Sequence, residues 1–172
     1  LLSLYQARLC QVLDDAHAGI WEWNVNAPED FWSDNLWALY GLDPEHVKPH
    51  YDSWIETVHR DDRARIEVQL RDAVHEQQAF VLEWRQQARA DEATRWFLCR
   101  GQPRFDADER LCGYRGVVID ITEQKRAEWE RDARQSQREV IAEAMPMIVW
   151  IADENGHNSY LNQQWVDFTG MD

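Results

Sequence analysis

Trp21, Asn24, Phe31 and the tripeptide Gly41-Leu42-Asp43 recur without a gap 129 residues later, as Trp150, Asp153, Tyr160 and Gly170-Met171-Asp172. This self-similarity constrains the chain strongly, because a unit that recurs is expected to fold the same way each time. It implies one whole unit, a connection, and then the opening of a second copy. Asn155-Gly156 supplies a hairpin turn in the second copy where Asn26-Ala27-Pro28 supplies one in the first. The resulting division is an N-terminal helix over 1–17, a domain over 18–122, a linking helix over 123–145 and a truncated second domain over 146–172.

The first copy has a readable order of elements. GIWEWNV, Gly19 to Val25, alternates Trp21, Trp23 and Val25 against Glu22 and Asn24, a strand signature, and Phe31-Trp32-Ser33 resumes a short strand after the turn. Short helical segments follow at Asn35 to Tyr40, ending at Gly41, and at Tyr51 to Val58. Ile66, Leu70 and Val74 then step by four along a longer helix. Asp61 and Asp62 stand at its start, where carboxylates satisfy free N–H groups and suit the helix dipole. Three more strands come next: Phe80 to Arg85, Arg95 to Cys99 with Trp96 and Leu98 on one face, and Leu111 to Ile121. Centring the last hairpin on Asp106 to Glu109 places Cys99 near Gly116 and Cys112 near Pro103. Two strands, several helices, then three strands describe an antiparallel α+β domain with helices on one face.

The last strand runs straight into charge: VVIDITEQKRAEWE passes from β-branched residues to a helical pattern with no loop. Thr122 suits the N-cap, its hydroxyl accepting from a first-turn N–H, and Glu123 suits the positive end of the helix dipole. Asp120 is placed to accept from the first strand's backbone or from a nearby Lys or Arg. Such a joint couples the strand's orientation directly to the helix. Along that helix Trp129, Ala133, Ser136 and Val140 step by four, three and four, the pattern of an a/d seam, although Ala133 and Ser136 make it thin in the middle. Parallel dimerisation explains it best, with a solvated linker as the alternative. Leu2, Tyr5, Leu9 and Val12 form a similar stripe near the N-terminus, suited either to packing on its own domain or to a dimer seam.

The formal charge of −14 on 172 residues argues against general nucleic-acid binding and against docking on anionic lipid. Apolar content of 44%, with ten tryptophans, is ample for a packed core. The longest apolar run, Met147 to Ala152, is too short to cross a bilayer, and no basic and apolar leader is present. A chain starting at Leu1 reads as an excerpt from a longer protein. Three cysteines in no metal or redox spacing fit a reduced, cytoplasmic setting.

The order GIWEWNV, FWSDNLWALYGL, WIETVHRDDR, FVLEWRQ, TRWFLCRGQPRFD and GYRGVVIDITEQKR resembles a PAS domain with its C-terminal PAC portion, over about Ala18 to Lys125. It looks most like the Trp-rich members found in bacterial sensor kinases and cyclic-dinucleotide signalling proteins. WIADENGHNSYLNQQWVDFTG resembles the opening of another such domain. His59-Arg60-Asp61-Asp62 resembles the family's His-Pro-Asp-Asp, with Arg60 replacing Pro, and Asp120-Ile121-Thr122 matches its signal-relay tripeptide. The resemblance implies a five-stranded sheet in the order 2-1-5-4-3 and a sensory role. A change of state would pass from the last strand through Asp120, Ile121 and Thr122 to the following helix, and on to an effector domain in the same chain.

Catalysis has no support: no phosphate-binding loop, dinucleotide fingerprint or nucleophile elbow is present. His75-Glu76 begins like a metalloprotease helix but lacks the second His, and Pro49 breaks the helix that His46 and His50 would need. The light-sensing relatives' reactive Cys has no counterpart between Trp54 and Arg63, which speaks against a flavin adduct. His75 is the residue that a haem-binding relative would use, but it sits at the edge of its helix's apolar stripe and reads as a surface residue. No metal is expected. The apolar space should be lined by Trp23, Leu36, Tyr40, Ile55, Ile66, Leu70, Trp84 and Leu98, which either enclose a small organic ligand or fill the core. Three functional readings follow: a dimeric sensory module, a dimerisation module without a ligand, and a haem sensor.

Overall fold

The computed structural model describes residues 2–25, 30–87 and 93–170, with side chains from residue 8 onward. The turn expected at Asn26-Ala27-Pro28-Glu29, the Leu2 and Tyr5 side chains and the Met171-Asp172 end of the repeat lie outside the described residues. The chain forms two compact units, Leu1–Glu123 and Gln124–Asp172.

In the first unit, helix α1 (Leu2–Asp15) precedes strands β1 (Ala18–Asn24) and β2 (Phe31–Trp32). Helices α2 (Asp34–Tyr40), α3 (Tyr51–Thr57) and α4 (Arg60–His75) follow, then strands β3 (Phe80–Arg85), β4 (Trp96–Phe105) and β5 (Leu111–Asp120). The strands form one antiparallel sheet in the order β2-β1-β5-β4-β3, the expected α+β arrangement. Helix α5 (Thr122–Ala144) begins with Ile121 alone between it and β5. Among the described residues no helix is long and apolar enough to cross a membrane.

Strand alternation decides which side chains meet the helices. On β3, Phe80, Leu82 and Trp84 point to the core, and on β4 Phe97, Cys99 and Gly101 do so. The predicted phase of β4 is therefore off by one residue: Leu98 lies on the opposite face, because Phe97 and Cys99 occupy the core positions. The register of the last hairpin also differs from expectation. Cys99 pairs with Val118 and Gly116 with Gly101, while Pro103 pairs with Tyr114. The turn closes by Asp106 N–H donating to the Arg110 carbonyl, and an irregularity between Arg104 and Phe105 shifts the pairing.

One row across the sheet reads Trp21, Gly116, Gly101, Phe80. The two central glycines leave room for the flanking rings, which stack at 5.9 Å with an interplanar angle of 19°. A Cβ on Gly116 would overlap the Arg100 carbonyl oxygen and approach the Trp21 ring, and one on Gly101 would overlap the Phe80 ring.

The start of α4 is fixed differently from expectation. His59 is the N-cap, its Nδ1 accepting from Asp61 N–H at 3.3 Å. Asp62 turns toward β3, where its carboxylate accepts from Arg85 backbone N–H (2.9 Å), Nε (3.0 Å) and Nη2 (2.8 Å). The Arg85 hydrogen bonds, opposed by burial, hold the Asp62 carboxyl below the usual range. Such a group adds stability above its unfolded pKa, about 4, and that stability is lost as pH falls through the folded value. Thermal unfolding scans should thus show the melting temperature falling once pH drops below about 4, more gently in Asp62→Asn. Equal slopes in both proteins would contradict this assignment.

In the second unit, the remainder of α5 is followed by the hairpin β6 (Trp150–Ala152) and β7 (Asn158–Leu161), then helix α6 (Gln163–Thr169). The pairs Trp21–Trp32 and Glu22–Phe31 of the first unit recur in the second, at the same 129-residue offset, as Trp150–Leu161 and Ile151–Tyr160. In the first unit Ile20 N–H donates to Ser33 Oγ and Ser33 N–H to the Ile20 carbonyl, both at 2.9 Å. In the second, Val149 N–H donates to Asn162 Oδ1 (2.9 Å) and Asn162 N–H to the Val149 carbonyl (3.0 Å). Gly41 and Gly170 end their helices with φ of 66° and 65°, a conformation that glycine adopts without strain.

Candidate functional site

Between the core face of the sheet and helices α3 and α4 lies a cavity of about 480 Å³, within the range of small-molecule sites. Trp21 and Trp23 of β1, Trp32 of β2, Tyr40 of α2, Trp54 of α3, Phe80 of β3 and Tyr114 of β5 give it aromatic walls. Trp23 stacks on Tyr114 at 5.8 Å, beside the Trp21–Phe80 pair, so four rings form a continuous row on the sheet. Leu70 and Val74 of α4 line the helix side, and Asp30, His50, Tyr51, Glu67 and Arg71 also line it. Burial pushes the Cys99 thiol up to about 12, with the Trp21 indole alongside pulling slightly the other way, so this wall carries no thiolate. Burial likewise pushes the Tyr40 hydroxyl well above its ordinary value, with Cys99 adding to the effect and the Trp54 indole opposing it.

Of the eight residues expected to line this space, Trp23, Tyr40 and Leu70 do. Leu36, Ile66 and Trp84 are wholly buried in the core next to it, Ile55 packs against that core, and Leu98 faces away on the far side of the sheet. His75, at the end of α4, is exposed and not part of the wall.

The junction at the end of β5 is built around one carboxylate. Asp120 Oδ1 accepts from Thr122 N–H at 2.9 Å and from the Thr122 hydroxyl at 2.5 Å. Asp120 Oδ2 accepts from Arg95 Nη2 at 2.7 Å and Nε at 3.1 Å. Burial alone would raise the Asp120 pKa, but the Thr122 and Arg95 hydrogen bonds outweigh it and hold the carboxyl below its usual range. The Thr122 hydroxyl accepts from Trp96 N–H at 2.9 Å, tying the first residue of α5 to β4. Ile121 N–H donates to the Trp96 carbonyl and Asp120 N–H to the His17 carbonyl, both at 2.9 Å, so the junction is stitched to both flanking segments.

Arg95, which sequence reasoning passed over, joins the junction to the cavity. Its Nη1 donates to the Leu39 carbonyl at 2.7 Å, and its guanidinium lies 5.0 Å from the centre of the Phe97 ring. Gln86, within 3.4 Å of the same Nη1, donates from Nε2 to the Tyr40 carbonyl at 3.0 Å. The Leu39 and Tyr40 carbonyls at the end of α2 are thereby held by two side chains, Arg95, which also holds Asp120, and Gln86, which Arg95 in turn contacts. The Tyr40 side chain on that same turn lines the cavity.

Along α5 the expected seam residues Trp129, Ala133 and Val140 are exposed within their unit, and on α1 so are Leu9 and Val12.

The family model described as PAS fold matches residues 29–118, just over half of the chain. An uncharacterized protein of Sinorhizobium fredii is 34% identical over 133 residues, which cover 77% of this chain and 16% of that protein. An Escherichia coli protein that carries the name probable diguanylate cyclase is 36% identical over 67 residues, 39% of this chain and 6% of that protein. The chain therefore spans less than a fifth of either relative's length. The solved sensory box histidine kinase/response regulator structure from Burkholderia thailandensis superposes with a TM-score of 0.58 at 26% identity, covering 76% of this chain and 98% of that one. An RNA-binding light-oxygen-voltage receptor, 20% identical with a TM-score of 0.56 over 74% of this chain and 34% of its own, shares the fold alone. With its sheet order, aromatic cavity and matched segment, the chain belongs to the PAS fold family, as a sensory domain related to those of histidine kinases and diguanylate cyclases.

Proposed function

We infer that the first unit is a non-catalytic sensor of a small apolar organic ligand, working within a larger histidine kinase or cyclic-dinucleotide enzyme. A ligand in the aromatic cavity would press on Tyr40 and displace the last turn of α2. Arg95 and Gln86 would carry that displacement to Asp120, and Thr122 would convert it into a change at the start of α5. The observation that carries this reading is the single guanidinium bonded both to the Leu39 carbonyl and to Asp120. Neither flavin nor haem is required by it.

The exposed Trp129, Ala133 and Val140 favour a parallel dimer through α5, the geometry in which a small rotation switches between two seam packings. Residues 146–172 are read as the opening of a second PAS domain, supported by the hydrogen bonds and strand pairs that repeat at the same offset as the sequence. A homodimer and an effector domain in the same chain are the partners this reading implies, in a cytoplasmic setting.

The ligand claim is open to a direct titration. N-phenylnaphthylamine, an apolar fluorescent amine of suitable size, should bind one per chain and quench tryptophan emission by energy transfer. Leu70→Trp, which places a ring in the cavity, should weaken that binding by about tenfold or more, about 1.4 kcal/mol. Probe binding of equal strength in the variant would place the probe elsewhere, and its failure to bind wild type would favour a filled dimerisation module.

A further inference from the structure

The repeat reaches further upstream than the strands. Helix α1 ends at Asp15 and α5 ends at Ala144, again 129 residues apart (144 − 15 = 129). Helices α2 and α6 occupy equivalent positions at both ends, Asp34–Tyr40 and Gln163–Thr169. The penultimate residue of each helix is an acid at the same repeat position, Asp14 and Glu143 (143 − 14 = 129).

Both acids grip the first turn of the helix that follows the second strand. Asp14 Oδ1 accepts from the Asn35 side-chain amide in α2. Glu143 Oε2 accepts from Gln163 N–H, the first residue of α6, at 2.8 Å, while its Oε1 accepts from the Tyr160 hydroxyl at 2.7 Å. The second copy adds a bolt of its own. Asn162, wholly buried, donates from Nδ2 to the Ala142 and Met147 carbonyls, both at 2.9 Å.

We propose that Asp14 and Glu143 are one device used twice: a positioning residue through which an incoming helix grips the short helix beyond the second strand of its PAS unit. On this view α5 serves both copies, leaving the first through Asp120 and Thr122 and engaging the second through Glu143. Helix α1 then holds in the first copy the place that α5 holds in the second, and delivers input to α2, the helix whose last turn Arg95 reads. The proposal rests on reading residues 146–172 as a second copy.

Hydrogen–deuterium exchange on this chain, followed by peptide, tests it, together with an alkaline titration of Tyr160. Glu143→Ala should speed exchange across 160–166 by roughly fivefold while leaving 18–120 unchanged, because two charge-assisted hydrogen bonds on an exposed surface are lost. Glu143→Asp should restore part of the protection, and Glu143→Gln, with one acceptor kept, should fall between. Asp14→Ala should loosen 34–40 and spare 158–170. The Glu143 carboxylate pushes the Tyr160 hydroxyl up to about 12, so in Glu143→Gln its ionisation should return toward the ordinary value of about 10. Protection at 160–166 that is present in wild type but unchanged in Glu143→Ala would overturn the clasp while leaving the second copy standing. No protection there even in wild type would overturn the second copy, and the clasp with it.

Discussion

Replacing Gly116 by Ala should lower the melting temperature by roughly 10 °C, the consequence of about 3 kcal/mol of lost stability in a domain of this size. The added methyl has no free direction: the Arg100 carbonyl oxygen blocks it on one side and the Trp21 indole on the other. Arg100 belongs to the central β4–β5 ladder, so relief would mean parting the two strands with the most extensive pairing in the sheet. Gly101→Ala should cost less, since the obstructing group there is the Phe80 ring, a side chain that can turn. Turning it would open the Trp21–Phe80 stack and reshape the cavity wall, so this variant should lose N-phenylnaphthylamine binding beyond its loss of stability. Thermal melts of both variants check the order, and a Gly116→Ala protein as stable as wild type would contradict the tight glycine row.

Arg95→Ala should release the junction. It removes two bonds to Asp120, one to the Leu39 carbonyl and the contact with Phe97. Because the guanidinium is about one-third exposed, its loss should cost only about 2 kcal/mol, less than a fully buried pair. The local effect should be larger than the global one: amide exchange over 120–126 should accelerate by roughly tenfold, since among the described residues the Asp120 carboxylate then keeps its bonds to Thr122 alone. Arg95→Lys should rescue little, because a single ammonium cannot hold a carboxylate and a helix-end carbonyl in two directions at once. If exchange over 120–126 is unchanged in Arg95→Ala, Arg95 does not hold the junction.

The sheet was legible in the sequence because its strands carry period-two alternation and its turns carry their own residues. The same alternation does not state its phase. In β4 both Trp96-Leu98 and Phe97-Cys99 are apolar sets, and the choice between them depends on which set meets the helices. The cavity was legible only in part, for a related reason. Tyr40 and Leu70 declare themselves by helical spacing, whereas Trp32, Trp54, Phe80 and Tyr114 enter the wall only once strands and helices are assembled. Arg95 left no signal, since a cation beside a strand has many partners within reach. By sequence Asp62 is a helix-start acid, and its attachment to Arg85, 23 positions away, depends on β3 lying against α4. The tripeptide at 120–122 was legible as a joint, but its hydrogen bonds to Trp96 and Arg95 depend on a neighbouring strand.

If the proposed relay operates, cavity occupancy reaches α5 through Arg95. Hydrogen–deuterium exchange over 122–130, with and without saturating N-phenylnaphthylamine, tests it most directly in wild type and Arg95→Ala. The probe should change exchange over 122–130 in wild type and leave it unmoved in Arg95→Ala, with the probe bound equally in both. Exchange that ignores the bound probe in wild type, or that responds equally in the variant, would contradict it.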